Sequence, residues 1–356
     1  MKNKILTILL ILTFITSCNT NTDSKILVMP TPSLTDSPTE TATLATTKPP
    51  TETPSPTKDP VTYDHFGNVK IHELNGEIKY TWFSYVPYSI MKSIGTEPIY
   101  ILITCANATM SEDYTIAEES MRGCIRHFSS LAEDYEYILL TPVIPRDFYV
   151  PIYSVAFDRR VFGEIDPFFQ RPDLEVIKMI EQLKSELAAG GIVVRDKVFI
   201  EGFSAGGMFA QRFALLHPEL VNAIAGGQCG GALTLPITEY NGYSMDWPLG
   251  IADYEDLTGT TFKLDDYKKI EQMIYIGTLD NTNSTVHYGN EIWNDRQVDI
   301  LNSFGLRDPD RVQKQVEFLN QIGFTNIHFE SYSGIGHKYP DQVFEHIFKF
   351  FRRYKK

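Results

Sequence analysis

The stretch Val198-Phe-Ile-Glu-Gly-Phe-Ser-Ala-Gly-Gly207 sets one serine among glycines directly after a run of strand-forming residues. Two readings compete for Ser204. It caps the helix that starts behind it, a position serine favours, or it is a nucleophile held on a sharp strand-to-helix turn. The pattern Gly202-Phe-Ser204-Ala-Gly206 is short, so its surroundings decide. Lys197 to Glu201 read as a strand. Met208 to His217 read as a helix, with Phe209, Phe213 and Leu216 at i, i+4 and i+7 and Pro218 as the stop. A cap needs no glycine on either side, whereas a turn that lifts a serine above a sheet edge leaves little room for side chains. The cluster is not a phosphate loop, because it lacks both the Lys-Ser/Thr ending and the GxGxxG spacing.

Outward from this turn the chain alternates short apolar runs with helical stretches. "PIYILITC" (Pro98 to Cys105), "YEYILLTPV" (Tyr135 to Val143), "VNAIAGG", "QMIYIGT" and "NIHFESYSG" have the length and composition of buried strands. Helices are expected around Ala117 to Leu131, from Asp173 to Ala189 with Gly190-Gly191 as the stop, and from about Pro340 to Arg353. "NVKIHELNGEIKYTWFSYVP" predicts a leading hairpin around Asn75-Gly76. The fold class is therefore α/β: a mostly parallel sheet with helices on both faces and an antiparallel N-terminal hairpin. Two insertions, about Ile144 to Pro172 and about Gln228 to Glu271, follow predicted strands, where open α/β sheets form ligand crevices.

A serine nucleophile needs a base, and the base needs a group that orients it. Of the eight histidines, His337 stands out in "SGIGHKYP", a tight loop between the last predicted strand and the last helix. Asp280, in "MIYIGTLDNT", lies just beyond another strand, whereas Asp253, Asp265 and Asp266 fall inside the second insertion. An Asx turn at a strand end is the bland reading of Asp280. The chain order Ser204, Asp280, His337, with each residue at a strand's C-terminal end, is the order described for α/β-hydrolases.

On these residues, about 63–356 resemble an α/β-hydrolase of the esterase type, similar to secreted poly(3-hydroxybutyrate) depolymerase-like and feruloyl-esterase-like enzymes. "GFSAGGMFAQRFALLHPELVNAIAGG" carries most of the likeness, with "IGTLD" and "GIGH" completing it. The resemblance implies attack by Ser204 on an ester carbonyl, with His337 as base and then acid and Asp280 holding the imidazole. It also implies an oxyanion hole built from the backbone N–H of Ala205 and a second donor in the loop after "YILIT", for which Ala106 is the candidate. Many relatives carry His-Gly in that loop, and here it reads Thr104-Cys-Ala-Asn107. Tyr149, Tyr153, Tyr240, Tyr243 and Trp247 in the two insertions are candidates for the substrate walls, core packing being the alternative for each. Arg159 and Arg160 either meet an acidic substrate group or form salt bridges. No metal-ligand spacing occurs, so no cofactor is expected.

The rest of the chain sets limits on partners and place. Of 356 residues, 43% are hydrophobic, enough for a large core, and the net charge of -13 repels phosphate backbones. Nucleic acid is thereby excluded as a partner. Lys2 and Lys4 precede the apolar run Ile5 to Ile15, which as a helix is roughly 16 Å long, too short for a hydrocarbon core of about 30 Å. With Ile15-Thr-Ser-Cys18 behind it, residues 1–18 resemble a bacterial lipoprotein signal, in which the cysteine is lipidated. Residues 19–62 are rich in Thr, Pro and Ser and should form a disordered tether, followed by a catalytic domain over 63–356. Such a chain would be exported, held to the cell envelope by a lipid anchor at Cys18, and would meet an ester, either a small molecule or an acyl group of a polysaccharide or polyester. Competing readings are a serine peptidase or lipase of the same fold, and a non-catalytic solute-binding lipoprotein. Cys105 and Cys124 are read as buried thiols, with a disulfide as the alternative.

Overall fold

The glycine-flanked serine sits where two packing layers meet, and the strands behind it explain why. The computed structural model describes residues 63–105, 114–145, 156–163, 165–281, 293–339 and 341–355. The signal 1–18 with Cys18, the tether 19–62, Ala106, Tyr149 and Tyr153 lie outside the described residues.

The chain opens with β1 (Val69–His72) and β2 (Trp82–Tyr85), then β3 (Tyr100–Cys105), α1 (Tyr114–Tyr135) and β4 (Tyr137–Pro142). Next come α2 (Pro172–Ala189), β5 (Val198–Phe203), α3 (Ala205–Leu216) and β6 (Val221–Gly227). The second insertion holds the small ribbon β7 (Glu239–Tyr240) and β8 (Tyr243–Ser244). The chain closes with β9 (Glu271–Gly277), α4 (Asp295–Phe304), α5 (Asp308–Gln321), β10 (Ile327–Tyr332) and α6 (Asp341–Arg353).

Eight strands form one sheet in the order β1-β2-β4-β3-β5-β6-β9-β10. β1 and β2 are antiparallel to each other, as are β2 and β4. From β4 to β10 every pair is parallel. Every residue of β3 and β4 is buried, as strands covered on both faces require. Alternate side chains serve opposite layers. Ile101, Ile103, Val198, Ile200 and Ile274 pack with α2, α3 and α5, while Leu102, Phe199, Met273 and Tyr275 pack with α1 and α6.

The leading hairpin forms, but not as a two-residue turn. Val69 pairs with Tyr85 and His72 with Trp82, so residues 73–81 link the strands. Asn75 and Gly76 do turn the chain there: Asn75 Oδ1 accepts from the N–H groups of Glu77 and Ile78, and Gly76 has φ 81°. Beyond the turn Ile78 and Tyr80 go into the core instead of continuing the ladder. α4 and α5 go beyond the sequence reading, although their signals are present. Asn294 and Gln297 form a capping box at the start of α4. Val312, Val316 and Leu319 form the buried stripe of α5. Cys105, Cys124 and Cys229 are all buried thiols.

Candidate active site

Ser204 has φ 59° and ψ −122°, a conformation that costs a residue with a side chain on the order of 1–3 kcal/mol. The fold holds it there from both sides. Its N–H donates to Gly227 O at 2.9 Å, tying the turn to β6, and its carbonyl receives the N–H groups of Gly207 and Met208. The glycines allow the close approach. A Cβ on Gly202 would lie 2.0 Å from Gly206 O, and one on Gly207 would lie 2.6 Å from Gly227 O. The serine side chain makes no cap bond to α3. Its Oγ lies 3.1 Å from His337 Nε2 instead. The side chain thus faces an imidazole and not the helix that it precedes.

The imidazole is fixed from its other side. His337 Nδ1 lies 3.0 Å from Asp280 Oδ2. A carboxylate accepts only, so Nδ1 carries the proton and Nε2 is left to accept from the serine hydroxyl. Asp280 is 1% exposed and follows β9, where its N–H donates to Gly277 O. The loop bearing His337 crosses this turn closely. Leu279 N–H donates to Ile335 O at 2.8 Å, and a Cβ on Gly277 would lie 2.3 Å from that same oxygen. β5, β6, β9 and β10 are consecutive in the sheet, so three distant segments arrive at one edge. Ala205 is the first residue of α3, and N–H groups of a helix's first turn have no acceptor within the helix. An anion beside Ser204 would find such a donor at the positive end of the helix dipole.

A second Ser–His–carboxylate line shows what distances alone do not decide. His72 Nε2 lies 2.9 Å from Ser84 Oγ, and His72 Nδ1 lies 3.5 Å from Glu186 Oε1. Ser84, however, is 0% exposed in the middle of β2, and the His72 ring is stacked on Trp82. A hydroxyl so enclosed is closed to substrate. His217 is likewise structural, bonding Asp173, which also takes Arg171.

Beneath the site lies a buried carboxyl with no counterpart in the sequence reading. Glu201, 1% exposed on β5, accepts from the Tyr339 hydroxyl, two residues beyond His337. Burial pushes its pKa up to about 8, with the Tyr339 bond opposing. An unfolded glutamate titrates near about 4.3. Between these values the folded chain keeps a proton that the unfolded chain has lost, so this group's contribution is full at low pH and lost as pH rises through that window. Glu201→Gln keeps a neutral side chain of the same shape. Its melting temperature relative to wild type is expected to climb steadily between about pH 5 and pH 8. A difference independent of pH would show that Glu201 is not held protonated.

The aromatic candidates separate. Trp247 is 1% exposed, its indole N–H bonded to Phe157 O and its ring against Phe162, so it fills the core instead of walling a cleft. Tyr240 packs on Phe304 and Phe318, and Tyr243 is exposed beneath the Arg296 guanidinium. The structure brings none of the three to the Ser204 hydroxyl. Arg159 and Arg160 form ion pairs, with Asp253 and Asp158 respectively.

No family model matches the chain, and no curated protein matches it. Among solved structures it is similar to poly(aspartic acid) hydrolase-1 from Sphingomonas sp. KT-1, at 18% identity over 76% of this chain and 93% of that one, with a TM-score of 0.51. It is also similar to a poly(3-hydroxybutyrate) depolymerase from Bordetella parapertussis, at 18% identity over 76% and 84% of the two chains, with a TM-score of 0.46. The first likeness, together with the strand order, gives the fold: an α/β-hydrolase fold.

Proposed function

We propose that this chain is a serine hydrolase that cleaves carboxylic esters through Ser204, His337 and Asp280. The observation that carries the reading is the continuous line from Asp280 Oδ2 through His337 to Ser204 Oγ, ending on a strained turn whose hydroxyl caps nothing. In this reading Nε2 of His337 takes the hydroxyl proton as Oγ attacks the ester carbonyl. The charge that develops on the carbonyl oxygen faces the Ala205 N–H. Imidazolium then protonates the leaving alcohol, and an acyl group stays on Ser204 until water, deprotonated by the same imidazole, releases it. Asp280, buried and accepting from Nδ1–H, keeps the ring oriented and stabilises its cationic form.

The test is turnover of p-nitrophenyl esters from acetate to octanoate and ferulate, beside the matching anilides. The anilides belong in the panel because one structural neighbour is named a poly(aspartic acid) hydrolase. Ester turnover with little anilide turnover is the expected result. Anilide turnover alone would move the reading to a peptidase, and no turnover of either would overturn it.

We further propose that the enzyme works outside the cytoplasm, anchored through lipid on Cys18. The short apolar run and its closing cysteine support this, as does a tether of roughly 40 residues that would span on the order of 35 Å. Cys18→Ser is expected to move the enzyme from the membrane to the soluble fraction of its host's envelope. Unchanged fractionation would sink the anchor.

A further inference from the structure

Both residues flanking His337 are held by one buried amide. Gln228 Nε2 donates to Gly336 O at 3.0 Å and to Lys338 O at 2.9 Å. Its side-chain orientation is dictated by those acceptors: two carbonyls need two N–H donors, and a flipped amide would set oxygen against both. The amide oxygen, in consequence, is buried without a partner among the described residues, an arrangement that costs stability. Gln228 is 2% exposed and has φ 55°, a left-handed backbone that a glutamine seldom adopts.

The position of Gln228 matters as much as its bonds. It follows β6, the strand between the one that carries Ser204 and the one that precedes Asp280. Its N–H donates to Tyr275 O of β9, and Gly227 just before it accepts the Ser204 N–H. Two adjacent residues therefore tie the serine turn, the aspartate strand and the histidine loop to one point.

We infer that Gln228 is a positioning residue for His337: it sets the distance between Nε2 and the Ser204 hydroxyl by clamping the loop on both sides of the imidazole. This rests on the Ser204–His337–Asp280 reading. Removing the clamp lets the ring drift, and a misplacement of about 1 Å is enough to cost on the order of a hundredfold in rate.

Gln228→Met keeps the length and loses both donors. Its kcat for a p-nitrophenyl ester is expected to fall about 10- to 100-fold, with KM changed less than about threefold. In a His337→Ala background the same substitution should cause no further loss, because the clamp acts only through the imidazole. Gln228→Asn retains the amide but is too short to reach both carbonyls. It should lie between wild type and Met, and it decides the matter if the Met variant does not fold. Wild-type kcat in a folded variant, or an equal loss with and without His337, would overturn the proposal. A readout independent of turnover is the low-field proton resonance of the His337–Asp280 bond. It should broaden in Gln228→Met, and an unchanged resonance would overturn the clamp even if no substrate is turned over. An inactive wild type whose resonance still responds to Gln228 would instead count against the ester chemistry alone.

Discussion

Ser204→Ala is expected to lower kcat/KM for p-nitrophenyl esters by on the order of 10⁴-fold or more, which is at least about 5 kcal/mol of transition-state stabilisation. The substitution removes one atom that no structural bond requires. Oγ is hydrogen-bonded to His337 Nε2 and caps nothing, and alanine tolerates the turn's backbone no worse than serine does. Circular dichroism and melting temperature should therefore stay close to wild type. Loss of activity with an intact fold can then be charged to the missing nucleophile. Activity retained within tenfold would mean that another group attacks the substrate.

Asp280→Asn should cost about 10³- to 10⁴-fold in kcat. The asparagine amide is as large as the carboxylate, so packing is preserved, but it carries no charge. Buried at 1% exposure, Asp280 faces the imidazolium where little water screens their attraction. The amide can also present a donor to Nδ1, which favours the tautomer with the proton on Nε2 and leaves nothing there to accept from Ser204. Single-turnover acylation is the measurement to make, because the orienting acid is needed in the first proton transfer. A loss below about threefold would place the orienting carboxylate elsewhere. Asp308 would be the one to examine, although Arg311 holds it at 3.3 Å.

Local patterns made much of this legible. Glycines on both sides of Ser204, a strand before it and an i, i+4, i+7 stripe after it identify the turn, because only small residues fit where α3 crosses β5 and β6. His337 and Asp280 were readable as strand-end residues in short loops, since a parallel sheet puts all such ends on one edge. What stayed hidden depends on partners far away in sequence. Nothing around Gln228 announces that its amide meets the carbonyls of residues 336 and 338. Glu201 looks like an ordinary strand residue until its neighbours bury it beneath Tyr339. Trp247 stays open in sequence for a related reason: an aromatic in an insertion is compatible with a wall or a core, and only the packing against Phe162 and Arg212 selects the core. His72, Ser84 and Glu186 carry the opposite lesson, as they come close to the distances of a reactive triad around a hydroxyl that is wholly buried.

The sheet order has one more consequence. His337 is delivered by β10, which among the described residues ends the sheet and pairs with β9 alone. Edge elements open at lower free energy than the centre of a sheet. A fluctuation that peels β10 away with its loop would carry off the imidazole and break the two Gln228 bonds, while the Ser204 N–H could keep its bond to Gly227 O on β6. Heat is therefore expected to abolish turnover at a lower temperature than it abolishes the circular dichroism signal, and coincident loss of the two would show that this margin does not open first. Stitching β9, β10 and α6 more firmly together should then lengthen working life at high temperature, with Ser204, His337 and Asp280 left alone.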